Sequence, residues 1–257
     1  MHIGILCAMP EEIGSAIEHL KNIEENDFGD LKIFSGEWLN NNLDNSSIHL
    51  SVAWSGWGKV SAARAATRIL STNYKGKSLD LLIFTGVAGA VDSRLKQWDI
   101  VLPTELIQHD MDARPLFQKY VIPSLNSSEI KSLDHWLNWA FKTLVEQKLN
   151  IKPYPFGSIK KGKIATGDTF ISDKSFLETL SIDLKGLMAV EMEGAAVAQV
   201  ATQEQKPWLI IRVISDGADE YAAQNFTDFL KNYEKCSWSL IEILLKNIDK
   251  SPLGQRY

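Results

Sequence analysis

Short apolar segments alternate with helical patterns along the chain, and this alternation predicts the fold class. The strand-like segments are residues 2–8, 31–38, 49–55, 81–89, 99–106 and 207–215. Several of them are continuously apolar, as expected for strands that are covered on both faces. The pattern predicts an α/β fold with a central, mostly parallel mixed β-sheet flanked by helices. No internal repeat or boundary divides it, so residues 1–257 are predicted to form a single domain.

Three segments have the spacing of helices. The first, from Gly58 to Leu70, is rich in small, helix-favouring residues. In the second, Asn126 and Glu129 resemble a capping box, which predicts that a helix begins there with its apolar face on Ile130, Leu133, Leu137, Phe141 and Leu144. In the third, apolar residues recur at three- and four-residue spacing, which predicts one long amphipathic helix across 226–248.

The polar stretches between these elements are predicted to be loops. Residues 40–47 and 71–78 are short enough to be connections. The segment 110–126 contains prolines and mixed charges without periodicity, which is typical of a long loop that borders a site.

Composition narrows the classes of function. The chain has 257 residues, 45% hydrophobic and 23% charged, enough for a sizeable core. A net charge of −5 provides no broad basic field, so we expect a small-molecule partner and no nucleic acid. No apolar run is long enough to span a bilayer, and no secretory signal is predicted. Cys7 and Cys236 indicate neither a disulfide framework nor a zinc site, which favours a reducing cytoplasm.

Polar or glycine residues follow four of the predicted strands, at residues 8–12, 55–59, 85–89 and 212–216. In open α/β sheets, ligands bind beyond the carboxyl ends of strands, so these four places are expected to share one crevice. SGWGK at 55–59 has neither the P-loop nor the GxGxxG spacing. It is either a glycine turn between a strand and a helix or a place where a ligand approaches the backbone closely.

Charged residues interrupt two apolar segments. Glu191 and Glu193 lie in VEMEGAAVAQV at 190–200, where the helix dipole alone would explain carboxylates at a helix start. Arg212 lies inside LIIRVISD and needs a carboxylate partner, for which Glu191 and Glu193 are the candidates. The pair is either a structural salt bridge or part of a site. HDMD at 109–112 contains metal-ligand residue types, but without further spaced ligands no metal is predicted.

Several segments together resemble the 5′-methylthioadenosine/S-adenosylhomocysteine nucleosidases of the purine nucleoside phosphorylase-like superfamily. The matching pieces, in the family's order, are IGILCAMPEE, SGWGKV, TGVAG, GDTFIS, AVEMEGAAVAQV and RVISDGAD. The resemblance implies hydrolysis of the bond between adenine and the ribose of 5′-thio-substituted adenosines. This chemistry needs no cofactor or metal. The resemblance also implies a homodimer in which a neighbouring subunit closes part of the 5′ pocket.

The same resemblance assigns roles to individual residues. Asp216, supported by Ser215, would protonate an adenine ring nitrogen, Glu12 would activate water, and Glu193 would bind the ribose hydroxyls. General acids and bases of this kind each contribute about 10²–10⁴ in rate. The remaining predicted contacts are Met192, Glu191 and Arg212 near the sugar and water, Phe170 and Ile171 at the base, Met9, Trp57 and Phe226 around the 5′ substituent, and Ala8 and Val87 in the lining.

The chain departs from the family pattern at two of these positions. Many members have a serine where this chain has Val87, and the lost hydroxyl argues against phosphate as the nucleophile. Trp57 replaces a smaller aliphatic residue and would reshape the 5′ pocket. Arg114 in the 110–126 loop either pairs with an anionic 5′ group, because guanidinium suits carboxylates, or is a solvated loop residue.

Three other functions compete with this interpretation. They are a phosphorylase that transfers ribose to phosphate, a hydrolase of another nucleoside such as a futalosine-type compound, and a nucleoside-binding protein without activity. The last is disfavoured because Glu12, Glu193 and Asp216 are all present.

Overall fold

A computed structural model describes residues 1–39, 47–150 and 155–254. The strands in these ranges are β1 (His2–Cys7), β2 (Lys21–Asp27), β3 (Lys32–Leu39), β4 (Ser47–Trp54), β5 (Asn73–Tyr74), β6 (Lys77–Ser78), β7 (Leu81–Ala90), β8 (Ile100–Gln108), β9 (Ile130–Lys131), β10 (Ile159–Thr166), β11 (Leu187–Glu191) and β12 (Trp208–Asp216). The α-helices are α1 (Lys59–Leu70), α2 (Asp134–Gln147), α3 (Lys174–Asp183), α4 (Gly194–Gln203), α5 (Ala222–Tyr233) and α6 (Ser237–Leu245).

One mixed sheet forms the centre of the protein, with strand order β11-β10-β8-β12-β7-β1-β4-β3-β2. The β12–β7, β7–β1 and β1–β4 pairs are parallel, whereas β2 pairs antiparallel with β3, and β3 with β4, at one edge. Strand β11 pairs in parallel with β10 and also antiparallel with β7, so this half of the sheet curls back on itself. The predicted α/β fold with a central mixed sheet is confirmed.

The six predicted strands are all present, and their burial explains why the sequence specified them. Every residue of β1 and β12 is buried, because helices cover both faces of the sheet. Two apolar clusters lie on the opposite faces, one with α2, α5 and α6 and the other with α1 and α4. Both clusters pack against β7 and β12, so these two strands, which end at two of the four candidate places, are anchored on both faces.

The capping box predicted at residues 126–129 is wrong. Ile130 and Lys131 form the short strand β9, which pairs with Leu106 and Glu105 of β8, and α2 begins only at Asp134. Asn126 has φ of +48°, a left-handed conformation typical of a turn. The strand pairing therefore takes the backbone groups that a longer helix would have used.

The single helix predicted across 226–248 is also wrong, because the segment forms α5 and α6 with a break at residues 234–236. The chain after β1 packs closely against this break. A Cβ at Gly14 would lie 2.4 Å from the Glu234 carbonyl oxygen. The break thus lets Gly14, two residues after Glu12, pack against the chain between α5 and α6.

Besides β9, three strands and one hairpin were not predicted. They are β2, β10, β11 and the β5–β6 hairpin, which lies within the predicted 71–78 loop. The other predicted loop, 40–47, falls outside the described residues except for Ser47, the first residue of β4. Among the described helices, none is both long and apolar enough to cross a membrane.

Candidate active site

A cavity opens at the carboxyl ends of β1, β7, β11 and β12. Its lining includes all the predicted site residues except Arg212, which is buried and does not reach the cavity surface. The lining residues are Ala8, Met9, Glu12, Trp57, Val87, Ala88, Gly89, Thr169, Phe170, Ile171, Val190, Glu191, Met192, Glu193, Ser215, Asp216, Ala218 and Phe226. The four candidate places, at residues 8–12, 55–59, 85–89 and 212–216, each contribute to this lining and therefore meet in one crevice, as expected for an open α/β sheet.

Glu12 is held at one side of the cavity by backbone amides. It follows β1 on a single 3₁₀ turn that Pro10 opens. Its carboxylate accepts hydrogen bonds from the amides of Ala8, Met9 and Val87 at 2.8, 3.0 and 3.0 Å. Burial raises the pKa of Glu12, while Arg212 and these amides oppose the rise. The carboxylate is thus fixed in place and shielded from bulk water.

Gly86 of the TGVAG segment allows this arrangement. A Cβ at this position would lie 2.6 Å from Glu12 Oε1 and 3.1 Å from Arg212 Nη1. The first distance is shorter than real Cβ contacts, so a side chain here would displace the Glu12 carboxylate, and glycine leaves room for it over β7.

Arg212 takes Glu191 as its partner. Arg212 Nη2 and Nε donate to Glu191 Oε2 at 2.6 and 3.2 Å, and the two side chains are 1% and 2% exposed. Glu191 also accepts from the amides of Glu193 and Gly194 at the start of α4, at 3.1 and 2.7 Å. Glu191 therefore caps a helix and neutralises a buried cation at the same time.

Glu193 has a different environment, although it is only two residues away. Its Oε1 accepts from the amide of Gly58 at 2.8 Å, at the N-terminus of α1. Burial, and then the charge of Glu191, raise the pKa of Glu193 well above its ordinary value. Gly58 has φ of +88°, so SGWGK is a glycine turn, and that turn directs an amide into the cavity.

Asp216 ends β12 on the other side of the cavity. Ser215 Oγ donates to its Oδ2 at 2.6 Å, and the amide of Ala218 donates to Oδ1 at 2.8 Å. Burial raises the pKa of Asp216, and these two donors only partly offset the effect. Unlike Glu191, the Asp216 carboxyl has no ion pair with a lysine or arginine of the described residues.

Three aromatic rings border the open part of the cavity. Phe226 of α5 contacts Trp57 and Phe170 edge-to-face, with ring centroids 6.1 and 5.8 Å apart. Trp57 is 52% exposed and Phe170 is 37% exposed. The cavity therefore has a carboxylate-lined floor and an aromatic rim, a combination that suits a flat apolar ring joined to a polyhydroxylated group.

A polar cluster links three loops at the rim. Asp168 Oδ1 accepts from the Lys59 amide at 2.7 Å, where the N-cap Gly58 has no side chain to do so. Lys59 Nζ donates to Asp110 at 2.6 Å, and Asp110 accepts from the Asp168 amide at 3.0 Å. The segment that carries Phe170 is thereby tied to α1.

In the 110–126 loop, Asp110 belongs to this rim cluster. Further along it, Arg114 Nε donates to Asp112 at 2.9 Å, and neither side chain lines the cavity. Within the described parts of the chain, no group of three or more His, Cys, Asp or Glu side chains is arranged to hold a metal ion.

Sequence reasoning missed Thr166, the last residue of β10. Its hydroxyl donates to Glu191 Oε1 and accepts from the Ala195 amide at 2.9 Å, so it fixes the start of α4 from a third strand. A threonine that directly follows the apolar pair Ile164 and Ala165 was the available signal. The cavity lining also contains residues that were not predicted, namely Ala88, Gly89, Thr169, Val190 and Ala218.

Known proteins resemble the chain along its whole length. The Phosphorylase superfamily model matches residues 2–246. The 5′-methylthioadenosine/S-adenosylhomocysteine nucleosidase of Staphylococcus carnosus is 32% identical over 247 residues, which cover 96% of this chain and 100% of the relative. The nucleosidase of the same name from Neisseria meningitidis, solved in complex with methylthio-immucillin-A, has a TM-score of 0.81 at 28% identity and covers 96% of this chain and 99% of its own.

A futalosine hydrolase of Helicobacter pylori has a TM-score of 0.80 at 32% identity, covering 97% of this chain and 98% of its own. The family model and the first relative match at nearly full length, as do both solved structures. The chain therefore belongs to the 5′-methylthioadenosine/S-adenosylhomocysteine nucleosidase family of the phosphorylase superfamily.

Proposed function

We propose that the protein hydrolyses the N-glycosidic bond of 5′-thio-substituted adenosines, methylthioadenosine and S-adenosylhomocysteine, and releases adenine. The main support is the juxtaposition in one cavity of a buried Asp216 carboxyl, whose pKa burial raises, with the amide-bound Glu12 and an aromatic rim. The relatives that carry this activity in their names match the chain over nearly its whole length.

Asp216 acts as the general acid in this proposal. Cleavage leaves negative charge on the purine, and a proton delivered to a ring nitrogen neutralises it as the bond breaks. An acid must hold its proton at working pH, and burial of Asp216 favours the protonated form. The base would stack on Phe170, with Ile171 at its edge.

Glu12 and Glu193 act on the sugar. The amides of Ala8, Met9 and Val87 hold the Glu12 carboxylate in the orientation from which it would activate a water molecule. Glu193 would accept hydrogen bonds from the ribose hydroxyls, with Met192 against the ring. Positive charge develops on the ribose in the transition state, and the Glu12 carboxylate would stabilise it electrostatically.

Water is a better nucleophile than phosphate in this cavity. Four carboxyl groups line it, from Glu12, Glu191, Glu193 and Asp216, and among the described residues no lysine or arginine does. The nearby guanidinium of Arg212 is already paired with Glu191. A phosphate dianion would thus find no free cation among the described lining residues to balance its charge, and Val87 offers it no hydroxyl.

A substrate panel tests the proposal. Methylthioadenosine, S-adenosylhomocysteine, adenosine, inosine and a futalosine-type nucleoside are incubated with the enzyme, with and without phosphate, and free base is quantified. Release of adenine from the two thioethers, at a rate that phosphate does not change, is expected. Strict dependence on phosphate would show that the enzyme is a phosphorylase.

Hydrolysis of a futalosine-type nucleoside is the second candidate. Its support is the structure of the Helicobacter pylori futalosine hydrolase. The TM-score of that structure, 0.80, is close to the 0.81 of the Neisseria meningitidis nucleosidase. The exposed Trp57 borders the place where the two substrate classes differ, beyond the 5′ carbon. The ratio of the two kcat/KM values in the same panel decides between them.

The proposal includes a cytoplasmic homodimer that serves methionine salvage. Apolar side chains are strongly exposed in the described residues, among them Val60 in the first turn of α1, at 81%, and Leu116 in the 110–126 loop, at 85%. A second subunit would cover such side chains. Sedimentation should give twice the monomer mass, and Val60→Glu with Leu116→Glu should yield monomers. A wild-type monomer at micromolar concentration would contradict the dimer.

A further inference from the structure

Strand β12 contains an irregularity immediately before the proposed acid. In its pairing with β7, Ile214 lies opposite Ala88 and Asp216 lies opposite Gly89, so Ser215 is the extra residue of a β-bulge. Bulges bend a strand and redirect the side chain that follows, and they recur beside active sites. Here the redirected side chain is the carboxyl group of Asp216.

The segment before β8 supports the other edge of the bulge. The Ile214 amide donates to the Asp99 carbonyl and the Trp98 amide donates to the Ile214 carbonyl, both at 2.8 Å. At the next step, Gln97 Nε2 donates to the Ser215 carbonyl at 2.8 Å. A side-chain amide therefore continues a backbone ladder at the point where the strand departs from regular pairing.

We propose that Gln97 is a positioning residue that fixes the bulge and so aims Asp216 at the base; this rests on the proposed function. The Ser215 carbonyl and the Asp216 amide belong to one planar peptide group. Holding the carbonyl therefore fixes the plane from which the Asp216 side chain extends. Gln97 does not line the substrate cavity, so its effect on the reaction passes through Asp216.

A second, smaller cavity makes Gln97 suitable for substitution. It lies behind Asp216 and is lined by Ala90, Leu95, Gln97, Ile214, Ser215, Asp216, Gly217 and Asn225. Gln97 is an exposed residue at its edge, so a side chain of similar length fits without displacing the core. Trp98, by contrast, has φ of +75°, and its ring packs on that of Phe229 with the centroids 4.4 Å apart. It therefore holds the segment in place when Gln97 is changed.

The test compares leaving groups. Gln97→Met and Gln97→Glu keep the length of the side chain and remove the donor. With methylthioadenosine, kcat should fall roughly 3- to 10-fold, the effect of one lost hydrogen bond, while KM stays the same. With a 5′-methylthio riboside that carries 4-nitrophenolate, which leaves without protonation, kcat should be unchanged.

The pH profile provides a second readout. In Gln97→Met, a less constrained Asp216 is better hydrated, which lowers its pKa, so the alkaline limb of the rate profile should move to lower pH. Gln203→Met, which removes a surface hydrogen bond to Ser124, is the matched control and should behave as wild type.

Two results would overturn the inference and leave the proposed function intact. One is wild-type kinetics of both Gln97 variants with methylthioadenosine. The other is an equal loss with the two leaving groups, which would indicate general loosening of the cavity. If the wild-type enzyme releases no adenine, the proposed function is refuted first, and the inference about its acid with it.

Discussion

Each carboxyl group in the cavity is held by different donors, and this difference separates their chemistry. Glu191 is neutralised by Arg212, Glu12 is held by three amides, and Glu193 accepts from one amide. Asp216 is bound by a hydroxyl and one amide in a buried place that favours its proton. The residue type is nearly constant across these positions, so local environment assigns the roles.

Asp216→Asn tests the acid directly. The amide keeps the size of the side chain but has no proton to give, so kcat for adenine release should fall by about 10²–10⁴. The circular dichroism spectrum should be unchanged. Asp219→Asn, three residues along the chain, is the control and should retain normal kcat. Activity of Asp216→Asn within a factor of about three of wild type would remove Asp216 from the mechanism.

Glu193→Gln tests, through stability, whether the folded state raises the pKa of Glu193. Because the folded state raises the pKa of Glu193, the folded protein keeps a proton that the unfolded chain releases at lower pH. Wild-type stability therefore declines as pH rises above the ordinary glutamate pKa, and the uncharged variant escapes this decline. The Tm of the variant should exceed that of wild type at about pH 8.5 and equal it near pH 4. A variant no more stable at the higher pH would contradict the raised pKa.

Ion pairs connect elements as well as residues, and Arg212→Met measures the connection between β12 and β11. Methionine leaves Glu191 buried without its cation, which should cost about 3–5 kcal/mol in the free energy of unfolding. The loss should grow with pH, because the variant also lacks the charge that lowers the pKa of Glu12. Urea unfolding at two pH values measures both effects.

Arg94→Met is the matched control for this measurement. Arg94 also pairs with an aspartate, Asp92, but its side chain is 81% exposed. Exposed pairs contribute between about 0 and 1 kcal/mol. Similar losses in the two variants would mean that burial of Arg212 is not what makes its pair important.

The rim cluster is a second connection between elements. Asp168→Ala removes the acceptor for the Lys59 amide, which should cost about 1 kcal/mol of stability and raise KM about fivefold by loosening the segment that carries Phe170. Asp173→Ala removes a comparable cap from α3, through the amide of Ser175, without a link to α1. The Asp173→Ala variant should lose about as much stability as Asp168→Ala, but its KM should be that of wild type. An unchanged KM in Asp168→Ala would refute the anchoring role.

Elements were predictable where burial and periodicity agreed. The fully buried strands β1 and β12 and the alanine-rich α1 have patterns that allow only one reading. Strand β10 was missed because three lysines, at 160, 161 and 163, occupy half-buried positions in it. The break between α5 and α6 contains neither Gly nor Pro, so only the approach of Gly14 marks it.

The candidate site was predictable from its motifs, but its hydrogen bonds were not. The resemblance brought together residues that line the cavity, whereas the choice of Glu191 over Glu193 as the partner of Arg212 depends on strand register. Thr166 reaches Glu191 and the Ala195 amide from the neighbouring strand β10, and Gln97 reaches the Ser215 carbonyl from the turn before β8. Such contacts leave no pattern in a single sequence.

At the scale of the whole molecule, the two cysteines report on global unfolding. Cys7 and Cys236 are both buried, and burial raises the pKa of both thiols. A thiol reagent should modify neither in the folded protein and both in urea. If the proposed function is right, adenine at about 100 times its Kd should slow labelling of Cys7 about 100-fold, measured by mass spectrometry. Rapid labelling without denaturant would show local opening beside the cavity.

The strand order sets a fixed length scale for the reaction. Glu12 follows β1 and Asp216 ends β12, and β7 lies between these two strands with parallel pairing on both sides. Neighbouring strands are about 4.8 Å apart, so the backbones that carry the proposed base and acid are separated by roughly 10 Å. The sheet thus sets the distance across which the nucleoside would lie. Loops such as the one with Trp57 can diversify the 5′ specificity while the separation of the reacting groups stays constant.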